Sequence, residues 1–483
     1  MKSVLMKSIF RSGCWLLFGL AGVLPTAAAP KFNVLFIAAD DLRMNLGCFG
    51  DPVAQTPNLD RLARRGMLFE RAYCQQALCN PSRSSLLTGL RPDTLRVWNL
   101  TTHFRETTPA VVTLPQYFQQ NGYFTQNIGK IYHNWRTKIE GDPASWSVPA
   151  VLHFATHASD VAVVDGGQLP PNTARTRGAE ARDVPDEAYF DGRVAATAVK
   201  ALRILRECRE PFFLGVGFWK PHAPFNPPKR YWDLYRRDEI PPLRNSTPPR
   251  QAPALALPES GEGGRDRSAA AVRELRHGYY AATSYLDAQV GKVIDELDRL
   301  GLGENTVIVF WSDNGYHLGE HAHWGKTTNF ELDAHVPLII AMPRMKTAGT
   351  RTASLVEFVD LYPTLVELCG LPEKSGLEGV SLRPILDDPR TTVKTAAFSQ
   401  HPRPAYVEVP GAAMGYSLRS DRFRYTEWRD WGSGNVLATE LYDHQSDPDE
   451  MANVVGEAHA AETVRTLGRQ LRERFPPKAL PTK

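Results

Sequence analysis

Three continuous apolar segments restrict the fold of this 483-residue chain more than any other feature. They lie at 32–39, 212–218 and 305–312, and each is rich in strand-forming residues without regular polar alternation. Such runs are typical of parallel strands that are buried on both faces of a sheet. Amphipathic helical patterns at 186–207 and 269–300 lie between them, the second with one expected interruption. The sequence therefore predicts an α/β fold with a large, mostly parallel sheet and helices on both faces.

The last quarter of the chain has a different pattern. Turn-forming residues at 372–388 indicate a linker, and the short segments beyond it alternate between apolar and polar residues. A helical pattern follows at 461–475. We therefore expect a catalytic domain at 30–375 and a smaller C-terminal α+β subdomain with a small antiparallel sheet at 376–483.

The first 29 residues have the features of a secretory signal peptide. Lys2, Lys7 and Arg11 precede an apolar run at 15–24, and alanines at 27–29 follow it. The apolar run is too short for a stable membrane span. The sequence thus predicts export without membrane insertion, to the periplasm or medium, or to a lysosome or the cell exterior in a eukaryote.

The charge of the chain is balanced once this peptide is removed. The full chain has 56 basic and 53 acidic residues, and three of the basic residues lie in the predicted signal peptide. Broad attraction to a polyanion is therefore not expected, which argues against a nucleic-acid-binding protein.

The segment 77–89, ALCNPSRSSLLTG, contains the main candidate for chemistry. The fixed φ of Pro81, and its effect on Asn80, predict a bend at Cys79 with a helix beginning after it. A side chain at that bend faces backbone N–H groups and the positive end of the helix dipole, which favours a bound tetraoxo anion. For a lone cysteine, a structural role in the core is the simpler interpretation.

This segment resembles the sulfatase signature, Cys-x-Pro-Ser-Arg followed by Thr-Gly, in every defining position. In that family a maturation enzyme oxidises the cysteine to formylglycine, an aldehyde whose hydrate is the nucleophile. The resemblance covers nearly the whole mature chain. It implies the alkaline-phosphatase-like α/β core with a smaller C-terminal sheet domain.

Within the family, the similarity is greatest to iduronate-2-sulfatase-like proteins. The segments that carry it are Arg-Pro-Asp-Thr at 91–94, Lys-Pro-His-x-Pro-Phe at 220–225 and Met-Gly-Tyr-Ser-Leu-Arg at 414–419. It implies a sulfated carbohydrate as substrate, and specifically the 2-O-sulfate of a uronic acid in a glycosaminoglycan.

Acidic residues follow two of the predicted strands. Asp40 and Asp41 follow the first strand, where paired carboxylates are costly unless a cation compensates them or the turn is exposed. Sulfatases hold a divalent metal, in most cases one Ca²⁺, at such strand ends. The resemblance implies that Asp40, Asp41, Asp313 and Asn314 hold it together with the converted Cys79, and oxygen donors suit such a cation. Some iduronate-2-sulfatases have histidine where Asn314 stands, so this chain departs from them there.

The resemblance also assigns roles to basic residues that could otherwise be surface groups. It implies that Arg83 orients the nucleophile, that Lys130, His133 and Lys326 contact the nucleophile or the sulfate, and that His222 protonates the leaving oxygen. Lys220 and Arg96 are implied as substrate contacts, and a solvated arginine is an equally good interpretation of Arg96.

Three histidines lie close together at 317, 321 and 323. Their number suggests zinc, but their spacing matches neither a helical pair with a distant third ligand nor a zinc finger. A loop that lines the cleft is the better interpretation.

The sequence thus predicts a sulfuric ester hydrolase, with two alternatives. A phosphomonoesterase or phosphodiesterase of the same superfamily would need a serine or threonine nucleophile and, in the two-zinc enzymes, ligands for a second metal. A glycan-binding protein with an unconverted Cys79 would have no activity.

Overall fold

The three apolar segments lie side by side in the centre of one large sheet. The computed structural model describes residues 31–134, 137–153, 163–164, 167–168, 178–179, 181–258, 268–407 and 410–481. The predicted signal peptide lies outside these residues. The strands are β1 (Asn33–Asp40), β2 (Met67–Tyr73), β3 (Phe124–Gly129), β4 (Val163–Val164), β5 (Gly167–Gln168), β6 (Phe212–Pro221), β7 (Thr306–Ser312), β8 (His317–Leu318), β9 (Trp324–Gly325), β10 (His335–Ala341), β11 (Arg351–Thr352), β12 (Val356–Glu357), β13 (Ala397–Arg403), β14 (Ala413–Arg419), β15 (Phe423–Asp430) and β16 (Val436–Asp443).

The large sheet has the strand order β11-β2-β10-β7-β1-β6-β3, with β12 also beside β2. Strand β1 pairs in parallel with β6 and β7, and β3 pairs in parallel with β6. Strand β10 is antiparallel to both of its neighbours, β7 and β2. The prediction of a mostly parallel sheet is therefore confirmed, with β10 as the exception.

Helices cover both faces of this sheet. They are α1 (Pro57–Arg65), α2 (Cys79–Thr88), α3 (Pro92–Leu95), α4 (Phe104–Thr107), α5 (Leu114–Gln120), α6 (Phe190–Leu205), α7 (Lys229–Trp232), α8 (Ala269–Arg299), α9 (Glu331–Ala334), α10 (Leu361–Leu368), α11 (Arg383–Asp387) and α12 (Ala461–Arg474). Alternate residues of β1 enter two separate apolar cores, one with α2, α5 and α10 and the other with α1, α6 and α8. Burial on both faces explains why this strand is apolar at nearly every position.

Some helices differ in detail from the sequence prediction, and α6 spans Phe190–Leu205 within the predicted 186–207. Helix α8 runs without the expected interruption. Helix α2 begins at Cys79 itself, so Pro81 lies within the first turn and not at the first position. The first N–H groups of a helix have no intrahelical partner, and a proline there removes no hydrogen bond.

The C-terminal strands β13–β16 form a separate antiparallel sheet in sequential order, which confirms the predicted second sheet. Asp93 of α3 contacts this sheet, because its carboxylate accepts hydrogen bonds from Gln400 (2.7 Å) and Tyr416 (2.6 Å), as well as from nearby Trp98 (2.8 Å). Residues 32–483 form one compact unit, and a domain boundary at 375 remains a prediction. Among the described helices, none combines the length and the apolar character that crossing a membrane requires.

A buried ion network holds the second sheet near the start of β10. The Nε of Arg424 lies 2.7 Å from the Oε1 of Glu450, and both side chains are 2% exposed. The other oxygen of Glu450 accepts the backbone N–H of Glu331, at the start of α9 (2.7 Å). Burial alone would raise the pKa of Glu450, but Arg424 and His444 hold it below its ordinary value.

Replacing Glu450 by glutamine is expected to lower the free energy of unfolding by about 3 kcal/mol near neutral pH, because the buried Arg424 loses a charged partner. The lowered pKa means that this stabilisation is complete above the unfolded-state pKa of about 4.3 and disappears as the pH falls below it. Urea denaturation of the wild type and the variant, at neutral pH and again well below the unfolded-state pKa of about 4.3, measures the difference in the free energy of unfolding. The control is Glu473→Gln, whose partner Arg469 is exposed and 4.0 Å away; equal effects of the two variants would contradict the prediction.

Candidate active site

The polar residues that follow β1, β3, β6 and β7 converge at one edge of the large sheet. Asp40 ends β1, and Asp313 follows the last residue of β7. Lys130 follows β3, and His222 follows β6. Since these four strands are parallel, their carboxyl ends lie together, which is where open α/β sheets place their functional residues.

Helix α2 brings Cys79 to this edge. The Sγ of Cys79 lies 3.4 Å from the Oδ1 of Asp40, and the Nζ of Lys326 donates to Sγ at 3.0 Å. The hydroxyl of Ser82 donates to the backbone carbonyl of Asp313 at 2.5 Å and fixes the first turn of the helix. Burial raises the pKa of the Cys79 thiol well above its ordinary value, and Asp313 and Asp40 raise it further.

Arg83 is fully buried and joins three strand ends. Its Nε donates to the Oδ2 of Asp313 at 2.8 Å, and its Nη1 donates to the carbonyls of Lys130 (2.6 Å) and Ile131 (3.1 Å). Its Nη2 donates to the carbonyl of Ala39 at 3.1 Å. These bonds are charge-assisted, so Arg83 fixes the relative positions of β1, β3 and β7 at the site.

Two lysines pair with the carboxylates that follow β1. The ammonium group of Lys130 contacts Asp40, and that of Lys326 contacts Asp41. Burial alone would raise the pKa of Asp40, but the positive charges around it, chiefly that of Lys130, hold it well below its ordinary value. Burial alone would lower the pKa of Lys326, but Asp41 holds it well above the ordinary value.

Asp41 has a left-handed backbone (φ 58°). This costly conformation is held by two hydrogen bonds: the N–H of Asp41 donates to Asp313 at 3.1 Å, and the hydroxyl of Tyr279 donates to the Asp41 carbonyl at 2.7 Å. Burial raises the pKa of Asp41 to about 7, with Asp40 and Asp313 adding to the effect and Lys326 opposing it. Asp41 is therefore the carboxylate of the site whose negative charge is least stabilised by its surroundings.

The residues at this edge fit a hard divalent cation. Asn314 donates its amide to Asp41 at 2.7 Å, while its Oδ1 is buried and has no hydrogen-bond partner among the described residues. Oxygen or sulfur atoms of Asp40, Asp41 and Cys79 lie within 4.8 Å of one another and of a His222 nitrogen. Three carboxylates and an unsatisfied amide oxygen form the donor set that calcium or magnesium prefers.

The remaining predicted site residues occupy different surroundings. His133 is buried, and burial, followed by the charge of Lys130, lowers its pKa well below the ordinary value, so its ring is neutral. His222 is one-fifth exposed, and its Nε2 lies 3.7 Å from the Oδ2 of Asp41. The Nζ of Lys220 donates to the carbonyl of Pro224 at 3.0 Å. Arg96 is exposed at the end of α3 and, among the described residues, has no polar contact with this cluster.

Comparison with known proteins gives the family. The sequence model of the family described as Sulfatase matches residues 32–371. The chain belongs to the sulfatase family. A second model, described as the C-terminal part of N-sulphoglucosamine sulphohydrolase, matches residues 319–475 of this sulfatase. It is therefore a sulfuric ester hydrolase.

Relatives of this sulfatase include two mammalian enzymes named iduronate 2-sulfatase. The mouse protein is 33% identical, over 91% of this chain and 94% of its own length, and the human protein is 32% identical, over 90% and 93%. A protein of Formosa agariphila named sulfatase is 31% identical, over 88% of this chain and 83% of its own length. The predicted resemblance to iduronate-2-sulfatase-like proteins is confirmed.

Solved structures show the same fold. A phosphonate monoester hydrolase of Agrobacterium radiobacter aligns with a TM-score of 0.75 at 24% identity, covering 92% of this chain and 96% of its own. A 2-O GAG sulfatase aligns with a TM-score of 0.66 at 22% identity, covering 92% of each chain. Neighbours with different named activities share the architecture, so the residues at the site must decide the chemistry.

Sequence reasoning missed several residues that support the site of this sulfatase. Asp191 of α6 accepts the backbone N–H groups of Trp219 and Lys220 at 2.8 Å each, and so shapes the turn that carries His222. Tyr279 of α8 supports Asp41. Both lie inside helical patterns, where a single aspartate or tyrosine gives no local signal of a distant partner.

Proposed function

We propose that this sulfatase hydrolyses the sulfate monoester of a sulfated carbohydrate, through a formylglycine made from Cys79. The observation that carries the proposal is the position of Cys79: its side chain lies between the carboxylate of Asp40 and the ammonium group of Lys326, at the start of a helix. A substrate that is a 2-O-sulfated uronic acid is supported by the names of the mammalian relatives and of the 2-O GAG sulfatase.

The unconverted thiol is a poor nucleophile in this environment. Because burial raises the pKa of Cys79, the side chain stays a neutral thiol near pH 7, and the thiolate is the reactive form. A formylglycine at this position would supply, as its hydrate, a hydroxyl nucleophile whose second hydroxyl allows release of sulfate. Conversion by a maturation enzyme, which acts on exported sulfatases, forms part of the proposal.

One Ca²⁺ is the cation that we propose for the site, held by residue 79 and by Asp40, Asp41, Asp313 and Asn314. When bound, it would supply positive charge to the sulfuryl oxygens. The three carboxylates face three cationic side chains, those of Arg83, Lys130 and Lys326. A dication therefore gives the cluster an excess of positive charge, which favours a sulfate ester.

The chain's own residues then have separate tasks. Lys130 and Lys326 lie close enough to Asp40 and Cys79 to contact the sulfate oxygens as negative charge develops on them. His222 is partly exposed and lies 3.7 Å from Asp41, from where it can donate a proton to the leaving alcohol oxygen. The buried, neutral His133 can accept a proton from the nucleophile.

Mass spectrometry of the tryptic peptide 72–83 tests the proposal, because an aldehyde and a thiol at position 79 differ in mass. The protein should come from a host that has the maturation enzyme. We expect the aldehyde form, and faster hydrolysis of an aryl sulfate than of the matching aryl phosphate. A thiol in fully active protein would overturn the formylglycine proposal, and faster phosphate hydrolysis would favour the phosphoesterase alternative.

Lys220 and Arg96 remain the proposed contacts for the rest of the substrate. Replacing Arg96 by alanine is expected to raise the KM for a 2-O-sulfated uronic acid by about 2- to 5-fold, since an exposed ion pair contributes up to about 1 kcal/mol. The KM for an aryl sulfate that has no carboxylate, and whose only charge is the sulfate itself, should not change. An equal rise for both substrates would indicate an effect on folding, and no rise for either would remove Arg96 from the site.

A further inference from the structure

A hydrogen-bonded chain of buried side chains lies behind Lys326. The Nδ1 of His317 lies 2.6 Å from the Oδ1 of Asp333, and its Nε2 lies 3.1 Å from the Nδ1 of His321. The Nε2 of His321 lies 2.8 Å from the backbone carbonyl of Asp449, which is the last group in this series of hydrogen bonds. His317 and Asp333 are fully buried, and His321 is 1% exposed.

The number of protons in this chain follows from its geometry. A carbonyl oxygen only accepts, so the Nε2 of His321 must carry a proton. The contact between the two imidazoles needs a second proton, and the contact between His317 and Asp333 needs a third. A carboxylate with two neutral histidines holds only two protons, so the chain must contain either an imidazolium ion beside the carboxylate or a protonated Asp333.

Contact with Asp333 favours His317 over His321 as the site of a positive charge. This ring contacts Asp333 directly, and burial and the charge of His317 both lower the pKa of His321. Asp333 is ionised, because its Oδ2 accepts two hydrogen bonds from Thr328, and its pKa lies below the ordinary value although burial would raise it. Other groups that face His317 are the ring of His323 at 5.0 Å, the ring of Phe330 and the charge of Glu320.

Asp333 and the neighbouring His323 fix the backbone around Lys326. The Nε2 of His323 donates to the carbonyl of Lys326 at 3.0 Å, and burial lowers the pKa of His323 to about 4, so this ring is neutral. The Oδ2 of Asp333 accepts from the N–H (3.0 Å) and the hydroxyl (2.7 Å) of Thr328. Thr327 between them has a φ of 87°, a costly conformation that persists only when its surroundings hold it.

We propose that His317 is a permanent imidazolium ion, paired with Asp333 and bonded to His321, and that this chain positions Lys326 against residue 79. His317 and Asp333 are thus positioning residues, which act through Lys326 and do not touch the substrate. The inference rests on the proposed role of Lys326 in sulfate hydrolysis, whereas the charge on His317 does not depend on that role. A metal is not needed to explain these histidines, because every ring nitrogen in the chain from Asp333 to Asp449 has a partner.

Nuclear magnetic resonance tests the charge without any activity. Long-range proton–nitrogen correlation spectra of protein with an unconverted Cys79 should show protons on both ring nitrogens of His317 at about pH 8, where an ordinary histidine is neutral. The Asp333→Asn variant should lose this signal, because the charged partner is absent. A neutral His317 at this pH would overturn the proposal, whatever the enzyme's activity.

A double-mutant cycle tests the connection to Lys326. His317→Gln is expected to lower kcat by about 30-fold with KM within about 2-fold, because a displacement of about 1 Å in a catalytic group costs up to about 100-fold. In a Lys326→Met background the same change should lower kcat by less than about 3-fold, because the residue it positions is gone. The matched control is His277→Gln, a buried histidine that stacks on Trp232, which should leave kcat within about 2-fold.

Two results of this cycle would contradict the proposal. An equal loss in both backgrounds would show that His317 acts independently of Lys326. A crystal structure of His317→Gln with Lys326 still 3.0 Å from Cys79 would show that the chain does not position it. If Lys326→Met alone were fully active, the proposed role of Lys326 in hydrolysis would fail, and the resonance experiment would still decide the charge of His317.

Discussion

Replacing Cys79 by alanine is expected to lower the turnover of an aryl sulfate by about 10⁴-fold or more, the range found when a covalent nucleophile is removed. The side chain of Cys79 lies at the start of α2, beside Asp40 and Lys326, and is 3% exposed. Among the described residues, no other cysteine belongs to a group with metal-binding donors at this edge of the sheet. The loss should appear in kcat, with the fold unchanged, because alanine fits the first turn of a helix.

Cys369→Ala is the matched control for this prediction. Cys369 is also 3% exposed, but it follows α10 in the apolar core and its thiol faces the backbone of Phe32. Its replacement should cost stability and leave kcat within about 2-fold. A Cys79→Ala protein that keeps more than about a tenth of the wild-type turnover would remove residue 79 from the chemistry. A similar loss in both variants would point to a folding defect.

The fold and the position of the site followed from local patterns in the sequence. Apolar runs without alternation identify strands buried on both faces, and the pairing of β1 with β6 and β7 agrees with that interpretation. Thr56 and Pro57 are typical of a helix start and Gly66 of a helix end, and α1 runs over Pro57–Arg65. Because these strands are parallel, the polar residues that follow them lie together at the carboxyl edge of the sheet.

Other features depend on partners far apart in the chain, which local patterns do not reveal. The antiparallel direction of β10 is fixed by pairing with β2 and β7, not by its own sequence. The carboxylate of Asp93, in the Arg-Pro-Asp-Thr segment, accepts hydrogen bonds from Gln400 and Tyr416 of the second sheet, and nothing in the segment itself indicates these partners. The link between His317 and Asp333 likewise depends on tertiary packing, since nothing in their spacing specifies it.

Removal of divalent cations with a chelator is expected to lower the turnover of the sulfatase by at least about 100-fold, and added Ca²⁺ should restore it. The cation would add positive charge to a site whose three carboxylates are already matched by three cationic side chains. Asp40, Asp41 and Asp313 meet at one edge of the sheet, and burial raises the pKa of Asp41 to about 7 although Lys326 contacts it. A cation that binds only the folded protein should also stabilise it, by about 2.7 kcal/mol at 100 times its Kd.

The Asn314→Leu variant separates this metal site from general effects of calcium. Leucine has nearly the shape of asparagine but lacks the side-chain Oδ1. At position 314 this oxygen is buried and has no hydrogen-bond partner among the residues that the structure describes. Calorimetric titration of protein with an unconverted Cys79 should show a Kd for Ca²⁺ that is at least about 10-fold weaker than in the wild type. The matched control is Asn127→Leu, because the Asn127 Oδ1 is also buried and has no partner in the part of the chain that the structure describes, but lies inside β3 and not at a strand end. If the two variants bound Ca²⁺ equally well, the unsatisfied oxygen of Asn314 would not be a ligand, and the cation would have to be held by the carboxylates alone.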